Sequence, residues 1–516
     1  ENPRPTEEIS FKEGCKESFD EAADRTKDPE EEMKRRPIAL LAAILIARVA
    51  LAESCDQIGH KPGDEGRIQA DFCREWLELH PCRQQLSKPC STFTLGHLSG
   101  IGQTLVMGQP LHIALGSLAP QNGFAAGLAF VEHKNFKNEW RLTSNTDAVA
   151  TPNGSWRAGS YLTTYQLPQS HEAIGVVMGT PTGKQQTPTV QIAPVFNIYA
   201  EATSLNLLYF YGLGPNTLPG GQSAFGLTET IAGASAILPL NRDGISFTLE
   251  FNGRVPQLRG NFNQSVPSIG QVYTEATAPG LTRPSSFLQP GGGIRIQPSL
   301  FAGRLRLHYL ANVQDFVSLS STPYSFLRWT TDIGHEFPLA RKVYLTAANP
   351  HNGPDSCAAD SSTGCPHISS TINNEGSVSL RVLLTGSAAR AGNAVPFYFD
   401  PTTGGSNVNG EPILPSYPDY RFRAPNLVLL RGTVEHALPK IPFGAYFSID
   451  AAKSPLTRSD IDFSNLRRSY SVGLAVHAGG LPVVYLLFAW GGKEGTHTTF
   501  SVSNILLGAS SRPSLF

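Results

Sequence analysis

The sequence predicts an all-β fold: a transmembrane antiparallel β-barrel of about sixteen strands, preceded by a short N-terminal periplasmic segment. Three observations predict it. Apolar and polar residues alternate in many segments, several of these segments are about 10–15 residues long, and the composition combines Gly (49) and Pro (39) with only 16% charged residues. Alternation puts the two kinds of side chain on opposite faces of a strand. About 9–11 residues suffice to cross a bilayer at a tilt, whereas the strands of a soluble β-sandwich are usually shorter.

The alternation repeats from residue 123 onward. In 245–252, four apolar residues oppose four polar ones: Ile245, Phe247, Leu249 and Phe251 against Ser246, Thr248, Glu250 and Asn252. No stretch of about 20 apolar residues occurs, so a membrane span requires a closed barrel in which every backbone group is paired. We predict strands at 124–133, 139–148, 155–167, 188–201, 203–213, 222–238, 243–256, 286–299, 303–319, 325–338, 376–387, 425–437, 442–452, 466–478, 482–490 and 495–507. The segment 104–118 is also predicted to be a strand, on the approach to the barrel.

The lengths of the connections predict an orientation, because such barrels have short periplasmic turns and longer outer loops. The predicted periplasmic turns are 149–154, 239–244, 300–303, 438–442 and 479–482. The predicted outer loops are 168–187, 257–285, 388–424 and 453–466. The connection 339–375 departs from this pattern, since it is long yet falls on the periplasmic side.

The N-terminal region predicts export. Met33-Lys34-Arg35-Arg36 is a positive region, Ile38–Ala47 is a short apolar core, and Ala50-Leu51-Ala52 matches a cleavage site. We therefore interpret 33–52 as a signal peptide rather than a buried helix. We divide the chain into four segments: 1–32 as an upstream or disordered extension, 33–52 as the signal peptide, 53–121 as a short periplasmic segment with cysteines, and 122–516 as the barrel, which includes the outer loop 388–424.

Six cysteines remain after the signal peptide, and an even number in an oxidising compartment predicts disulfides. Cys357 and Cys365 share one polar loop and are predicted to pair. The other four (Cys55, Cys73, Cys82 and Cys90) allow three pairings that the sequence does not separate. A metal site is not expected, since no CxxC occurs and the nearby histidines lack ligand spacing.

Other function classes are disfavoured. The net charge of -1 gives no basic face for nucleic acid. No GxSxG or metal motif points to catalysis, so we expect no enzyme activity and no cofactor. The lumen charges Arg304, Arg306, Arg328, Asp332 and Arg381 are interpreted as the solvated wall of a barrel, with a substrate track as the alternative.

Mainly in its C-terminal third, the chain contains a series of short motifs in the same order as in a known protein family. They are Phe326-Leu327-Arg328, Phe337-Pro338-Leu339, Ser379–Val382, Pro396-Phe397-Tyr398, Gly404-Gly405, Leu414–Leu430, Thr433-Val434-Glu435, Phe447–Ala451, Ser469–Leu474 and Gly495-Thr496, with Phe210–Gly214 upstream. The chain thus resembles the barrel of the BamA/TamA-like outer-membrane assembly proteins, the bacterial surface antigen family. The resemblance extends over about 123–507 and includes no recognisable POTRA module.

The resemblance implies that the sixth outer loop, 388–424, folds into the lumen, where an Arg of its tip pairs with acidic residues of the barrel wall. It also implies that the seam between the first and last strands can open. The loop-motif residues are Leu414, Tyr417, Arg421, Phe422 and Arg423, and the expected acidic partners are Glu435 and Asp450. Leu414-Pro415-Ser416-Tyr417 stands where the family commonly has Leu-Arg-Gly-Tyr. Either Arg421 replaces the missing charge, or the loop has a different conformation.

From the resemblance we expect a barrel in the outer membrane of a Gram-negative-type bacterium that assists insertion or translocation of proteins. Its partners would be outer-membrane lipid and unfolded outer-membrane or secreted polypeptides. The main alternative is a structural or pore-forming barrel without assembly activity. A secreted all-β enzyme is a third, less favoured class. A weak seam between 124–133 and 495–507 would favour assembly, whereas fully paired terminal strands and an open lumen would favour a pore.

Overall fold

The computed structural model describes residues 110–136, 140–166, 194–240, 244–261, 265–320, 323–348, 367–438, 443–478, 481–492 and 494–502. These residues belong to one compact unit, Gly102–Phe516. The predicted signal peptide, the segment 1–32 and all six candidate disulfide cysteines lie outside the described residues. Among the residues that are described, no helix is long and apolar enough to cross a membrane.

Strands dominate the described chain. They are β1 Leu111–Ser117, β2 Phe124–Asn135, β3 Trp140–Ala150, β4 Trp156–Gln166, β5 Val195–Phe210, β6 Ser223–Pro239, β7 Ile245–Arg259, β8 Phe287–Ile296, β9 Ser299–Leu300, β10 Leu305–Ser318, β11 Phe326–Ala348, β12 His367–Ala389, β13 Thr402–Thr403, β14 Phe422–Arg423, β15 Leu427–Ala437, β16 Phe443–Lys453, β17 Arg467–Ala478, β18 Leu481–Gly492 and β19 Gly495–Val502. One short helix, α1 Ile269–Val272, lies between β7 and β8.

Seventeen of these strands form a single sheet, and β13 and β14 form a separate two-stranded one. Each long strand pairs antiparallel with the next long strand along the chain, from β1–β2 through β8–β10 to β18–β19. The two-residue β9 pairs with β10. The prediction of an all-β antiparallel fold with about sixteen strands is therefore confirmed. The edge strands β1 and β19 approach each other, with Cα atoms within 8 Å.

Two differences from the predicted strands leave the number of long strands unchanged, because one removes a strand and the other adds one. The predicted strands 188–201 and 203–213 form one strand, β5, because residues 202–204 pair with β4 on one side and with β6 on the other. The segment 104–118, expected on the approach to the barrel, contributes β1 to the sheet itself. The seam strand on the N-terminal side is consequently β1 and not 124–133.

These differences also correct the orientation of two connections. Strand order places the turn 151–155 at the same end of the sheet as the connection 390–426, whereas β4 ends at Gln166 and β5 begins at Val195 at the opposite end. The prediction that 149–154 lies at the opposite end from 388–424 was wrong, because dividing β5 into two predicted strands shifted the up–down alternation by one strand. The predicted outer loop 168–187 lies outside the described residues. We call the end that carries 390–426 the loop end and the other the turn end.

The long connection 339–375 has a structural explanation. β11 and β12 do not stop at 338 and 376, as predicted, but continue as a paired ribbon whose ladder runs through Arg341–Asn374 to Ala348–His367. The pairings of β10 and β15 with these strands end at Glu336 and Gly376. The ribbon therefore extends past the rest of the sheet at the turn end.

The sheet exposes apolar side chains on one face and buries polar ones on the other. In β7, Phe247, Leu249 and Phe251 are 43%, 52% and 54% exposed, whereas Asn252 and Arg254 are buried. In β16, Phe447 and Ile449 are exposed while Asp450 is buried, as the alternation predicted. We call the buried face the inner face and the apolar one the outer face. This arrangement is the reverse of a soluble sheet, in which the apolar face is covered.

Candidate functional site

The connection 390–426, called here the inner loop, lies against the inner face of the sheet. Its residues from Val395 to Val408 and from Ile413 to Ala424 are mostly buried. The predicted motif residues Leu414, Tyr417, Arg421, Phe422 and Arg423 are all buried. The structure therefore brings these five residues together within one loop that packs onto the wall.

The first part of the inner loop forms an aromatic plug with the wall at the loop end. The plug consists of seven phenylalanines: Phe397 and Phe399 of the loop, and Phe210, Phe225, Phe287, Phe316 and Phe326 of the strands. The ring centroid of Phe397 lies 5.0 Å from that of Phe210, and the centroid of Phe399 lies 5.1 Å from that of Phe287. Aromatic pairs at this separation contribute beyond their buried area, so the plug fixes the loop in place.

Polar side chains line the inner face toward the turn end. A cavity of about 430 Å³ there is bordered by Glu250, Arg295, His308, Asn312 and Asp332, among others. The carboxylate of Glu250 accepts hydrogen bonds from the side chains of Asn312 (3.1 Å) and Gln314 (2.7 Å). Of the predicted wall charges, Asp332 borders this cavity, whereas Arg328 is buried at the aromatic plug, with its guanidinium over the rings of Phe316 (5.3 Å) and Phe326 (5.4 Å).

Two adjacent glycines allow the inner loop to fold back on itself. Gly404 and Gly405 have φ angles of 101° and 60°. A Cβ atom on Gly404 would lie 2.5 Å from the Cβ of Arg421, and one on Gly405 would lie 2.1 Å from the Oδ1 of Asp419. Only glycine fits both the angle and the space at these positions.

The tip motif forms a β-turn. The N–H of Tyr417 donates to the carbonyl of Leu414 (3.1 Å), which puts Pro415 at the second turn position, where its fixed φ is favoured. Within the turn Leu414-Pro415-Ser416-Tyr417, Leu414 has a positive φ (56°), whereas Ser416 does not. The sequence Leu-Pro-Ser-Tyr is therefore compatible with a tight tip although it lacks the Arg and Gly common in the family.

The tip contacts the wall through its backbone. The N–H of Leu414 donates to Oδ2 of Asp450 on β16 (3.2 Å), and the N–H of Ser416 donates to Oγ of Ser469 on β17 (2.9 Å). Asp450 therefore accepts a hydrogen bond from a backbone amide of the loop, and not from an arginine of the loop as the resemblance implied.

At Asp450 the charged contact between loop and wall has the opposite polarity to the one predicted. Arg431 on β15 donates from Nε to Oδ1 of Asp450 (2.8 Å) and from Nη1 to Oε1 of Glu411, a loop residue (3.0 Å). Arg381 on β12 also pairs with Glu411, and with Asp332 on β11 (2.8 Å). The loop therefore supplies a carboxylate and the wall supplies the guanidinium groups. Burial acts to raise the pKa of Glu411, but Arg431 and Arg381 outweigh this and lower it.

The two loop arginines have other partners than the predicted Glu435 and Asp450. Arg421 pairs with Glu494, between β18 and β19 (2.7 Å), and donates to the hydroxyl and carbonyl of Thr217. Arg423 donates to the carbonyl of Phe397 (2.9 Å). Glu435 lies on β15, opposite Tyr446 in the ladder. The expected pairing was wrong because Arg431, which stands opposite Asp450 in the same ladder, already occupies that carboxylate.

Asp400 is a buried acid that the sequence interpretation did not select. It follows the apolar run Val395–Phe399 and is fully buried, and neither carboxylate oxygen has a hydrogen-bond partner among the described groups. Burial raises its pKa to about 8, and the charges of Arg328 and Arg423 offset this only in part. A single acid within an aromatic run was the available signal for this site.

We expect the folded chain to lose stability as the pH rises from about 4 to about 8. Over this range the folded chain keeps the Asp400 proton, whereas the unfolded chain releases it, so low pH favours the folded state. The Asp400→Asn variant cannot ionise and should lose this part of the pH dependence. Urea unfolding midpoints at pH 5 and pH 8.5 would test this, and an identical pH dependence in both proteins would contradict it.

No family model matches the sequence, and no curated protein matches it. Among the described residues, no group of three or more His, Cys, Asp or Glu side chains is placed to hold a metal ion.

Three solved structures illustrate what the chain is similar to. BamA from Haemophilus ducreyi lacking POTRA domains 1-3 has 12% identity and a TM-score of 0.41, with 76% of this chain and 70% of that chain covered. CdiB from Acinetobacter baumannii has 12% identity and a TM-score of 0.38, with 85% and 72% covered. The structural neighbours are BamA and CdiB. CdiB from Escherichia coli has 10% identity and a TM-score of 0.41, and this chain covers 61% of it. BamA is one of the two proteins after which the family resemblance in the sequence is named.

Proposed function

We propose that the chain is an outer-membrane β-barrel of a Gram-negative-type bacterium that assists the insertion or translocation of polypeptides. The observation that carries the membrane location is the outer face of the sheet. Large apolar side chains are exposed along it, for example Ile198 (62%), Leu249 (52%) and Leu380 (53%), while polar side chains are buried behind them. Such a continuous apolar exterior is costly in water and favourable in lipid.

The dimensions of the strands support the same location. Aromatic residues lie near both ends of the first long strands: Phe124 and Trp156 at the loop end, and Trp140 and Phe196, whose ring centroids are 6.0 Å apart, at the turn end. The eleven residues of β3 extend about 34 Å along the strand, or about 25 Å in height at a tilt of about 40°. That height matches the apolar band of an outer-membrane barrel.

The assembly activity rests on the family resemblance, and the inner loop supports it. The sequence motifs that carry the resemblance include parts of this loop. The loop lies against the inner face of the sheet and binds it through Leu414, Ser416 and Glu411. Depletion of the chain from its native bacterium should lower the amounts of other outer-membrane barrels, measured by quantitative proteomics of purified outer membranes. Re-expression of the intact chain should restore them. Unchanged amounts would argue against an assembly role.

A pore-forming barrel is the second candidate, and the aromatic plug argues against a conducting form of it. The plug packs seven phenylalanine rings against the inner face at the loop end, and we infer that these rings hinder the passage of ions. We expect the purified chain in a planar bilayer to show little steady conductance. A stable conductance of porin size would favour the pore and contradict the plugged state.

A further inference from the structure

Three consecutive residues of the inner loop contact the connections next to both edges of the sheet. Asp419 and Tyr420 bind the connection between β1 and β2, and Arg421 binds the connection between β18 and β19. These connections belong to the first and the last hairpin of the sheet, which carry its two edge strands. One short segment thus joins parts of the chain about 370 residues apart in sequence, at the position where the sheet begins and ends.

The contacts to the first hairpin are two hydrogen bonds of ordinary length. The side-chain amide of Gln121 donates to Oδ2 of Asp419 (2.7 Å), and the hydroxyl of Tyr420 donates to the carbonyl of Pro120 (2.8 Å). Asp419 is held for this contact by the N–H of Ser406, which donates to its Oδ1 (2.9 Å). The backbone of Tyr420 has a positive φ of 59°, an unfavourable angle for a non-glycine residue that the surrounding contacts must maintain.

The contact to the last hairpin is a charged one. Nε of Arg421 lies 2.7 Å from Oε2 of Glu494. The guanidinium of Arg421 also lies over the rings of Tyr211 (4.9 Å) and Phe422 (4.7 Å), and the side chain is 1% exposed. Because a buried arginine with fixed aromatic neighbours has little freedom to move, it presents a rigid anchor to Glu494.

A cavity separates the two edges next to this segment. Its volume is about 240 Å³, and its lining includes Ser117 and Phe124 from the first hairpin, Thr499 and Phe500 from β19, and Asp419 from the loop. At this level the edges are therefore not packed directly against each other, and the loop contacts bridge them.

We propose that Asp419, Tyr420 and Arg421 form a clasp that holds the first and last hairpins together, so that release of the inner loop from either hairpin loosens the seam. The clasp regulates the seam of the barrel and in this sense rests on the proposed function. It makes the position of the inner loop, and not the pairing of the edge strands alone, the determinant of whether the seam is closed.

Hydrogen–deuterium exchange of the full chain in lipid nanodiscs tests the clasp. The Tyr420→Phe variant keeps the ring and removes only the hydrogen bond to Pro120, so exchange in 111–117 and 495–502 should rise about fivefold. The Glu494→Gln variant removes the charge that Arg421 binds and should raise exchange there on the order of tenfold or more. In both variants exchange in β6 and β7 should stay as in the intact chain.

Matched controls separate the clasp from a general loosening of the loop. Tyr398→Phe removes a hydroxyl from the inner loop, away from both edge hairpins. Asp462→Asn removes an acid of a different connection, 454–466, that pairs with Lys453. Neither should change exchange in the edge strands. The clasp would be overturned if exchange in the edge strands were the same in the intact chain, Tyr420→Phe and Glu494→Gln. It would also be overturned if Tyr398→Phe raised exchange in the edge strands as much as the clasp variants do.

The outcome is independent of the assembly experiment. Exchange reports on the seam whether or not the chain inserts other polypeptides, so a clasp can be found in a barrel whose depletion has no effect. Conversely, if the clasp variants left exchange in the edge strands unchanged, the assembly role would still be tested by the depletion experiment.

Discussion

The Arg431→Met variant is expected to have a free energy of unfolding about 3–5 kcal/mol lower than that of the intact chain. Arg431 is the partner of both Asp450, which is 1% exposed at its side chain, and Glu411 of the inner loop. Removal of the guanidinium leaves the buried Asp450 without its ion-pair partner and removes one of the contacts between the loop and the wall. Chemical unfolding in detergent micelles, followed by tryptophan fluorescence, measures the change.

A second wall arginine provides the control for this variant. Arg306 on β10 pairs with Glu336 at 3.3 Å, but their side chains are 37% and 25% exposed. Because solvent-accessible pairs contribute only about 0–1 kcal/mol, Arg306→Met should change the unfolding free energy by less than that. Equal losses at the two positions would show that Arg431 acts as an ordinary wall charge and not as the partner of the loop.

The Phe399→Ala variant is expected to lose about 3–5 kcal/mol and to conduct ions. Phe399 is buried at the centre of the aromatic plug, with its ring centroid 5.1 Å from that of Phe287 and 5.2 Å from that of Phe316. Truncation leaves a cavity among rings that the strand backbones hold apart, so the plug cannot collapse to fill it. Unfolding measurements test the stability, and single-channel recordings in planar bilayers test the conductance.

Phe463→Ala serves as the control for the plug variant. Phe463 lies in the connection 454–466 at the same end of the sheet but is 58% exposed. Its truncation should change stability by about 0.5 kcal/mol or less and should leave the conductance unchanged. A Phe399→Ala variant as stable and as closed as Phe463→Ala would contradict the proposed role of the plug.

The fold was predictable from the sequence because alternation is a local signal. Whether Phe447, Ser448, Ile449 and Asp450 face outward or inward follows from their order alone, and the structure places them accordingly. The limits of β5 were not predictable in this way. Pairing on both sides carries the strand through Ala202-Thr203-Ser204, a stretch with small residues that gives no strong strand signal.

The candidate site was predictable in location but not in its partners. The family resemblance pointed to the inner loop and to Asp450. The pairing of Asp450 with Arg431 depends on the strand register, and the contacts of Glu411 and Glu494 depend on the path of the folded loop. Arg431 and Asp450 stand opposite each other in the β15–β16 ladder, so a correct register would have revealed their pairing. The contact between Arg421 and Glu494 depends on the path of the folded loop, which no local pattern specifies.

The aromatic plug lies only at the loop end of the strands that carry it, so the two ends of the proposed barrel differ in the polarity of their inner face. A hydrophilic molecule that enters from the turn end reaches the polar wall around Glu250, Asn312 and Gln314, and then meets apolar rings. Along the strands that contribute rings to the plug, we therefore expect this polar wall to be reached from the turn end. In intact cells, a membrane-impermeant reagent at a cysteine placed near Gln314 should react from one side of the membrane and not from the other.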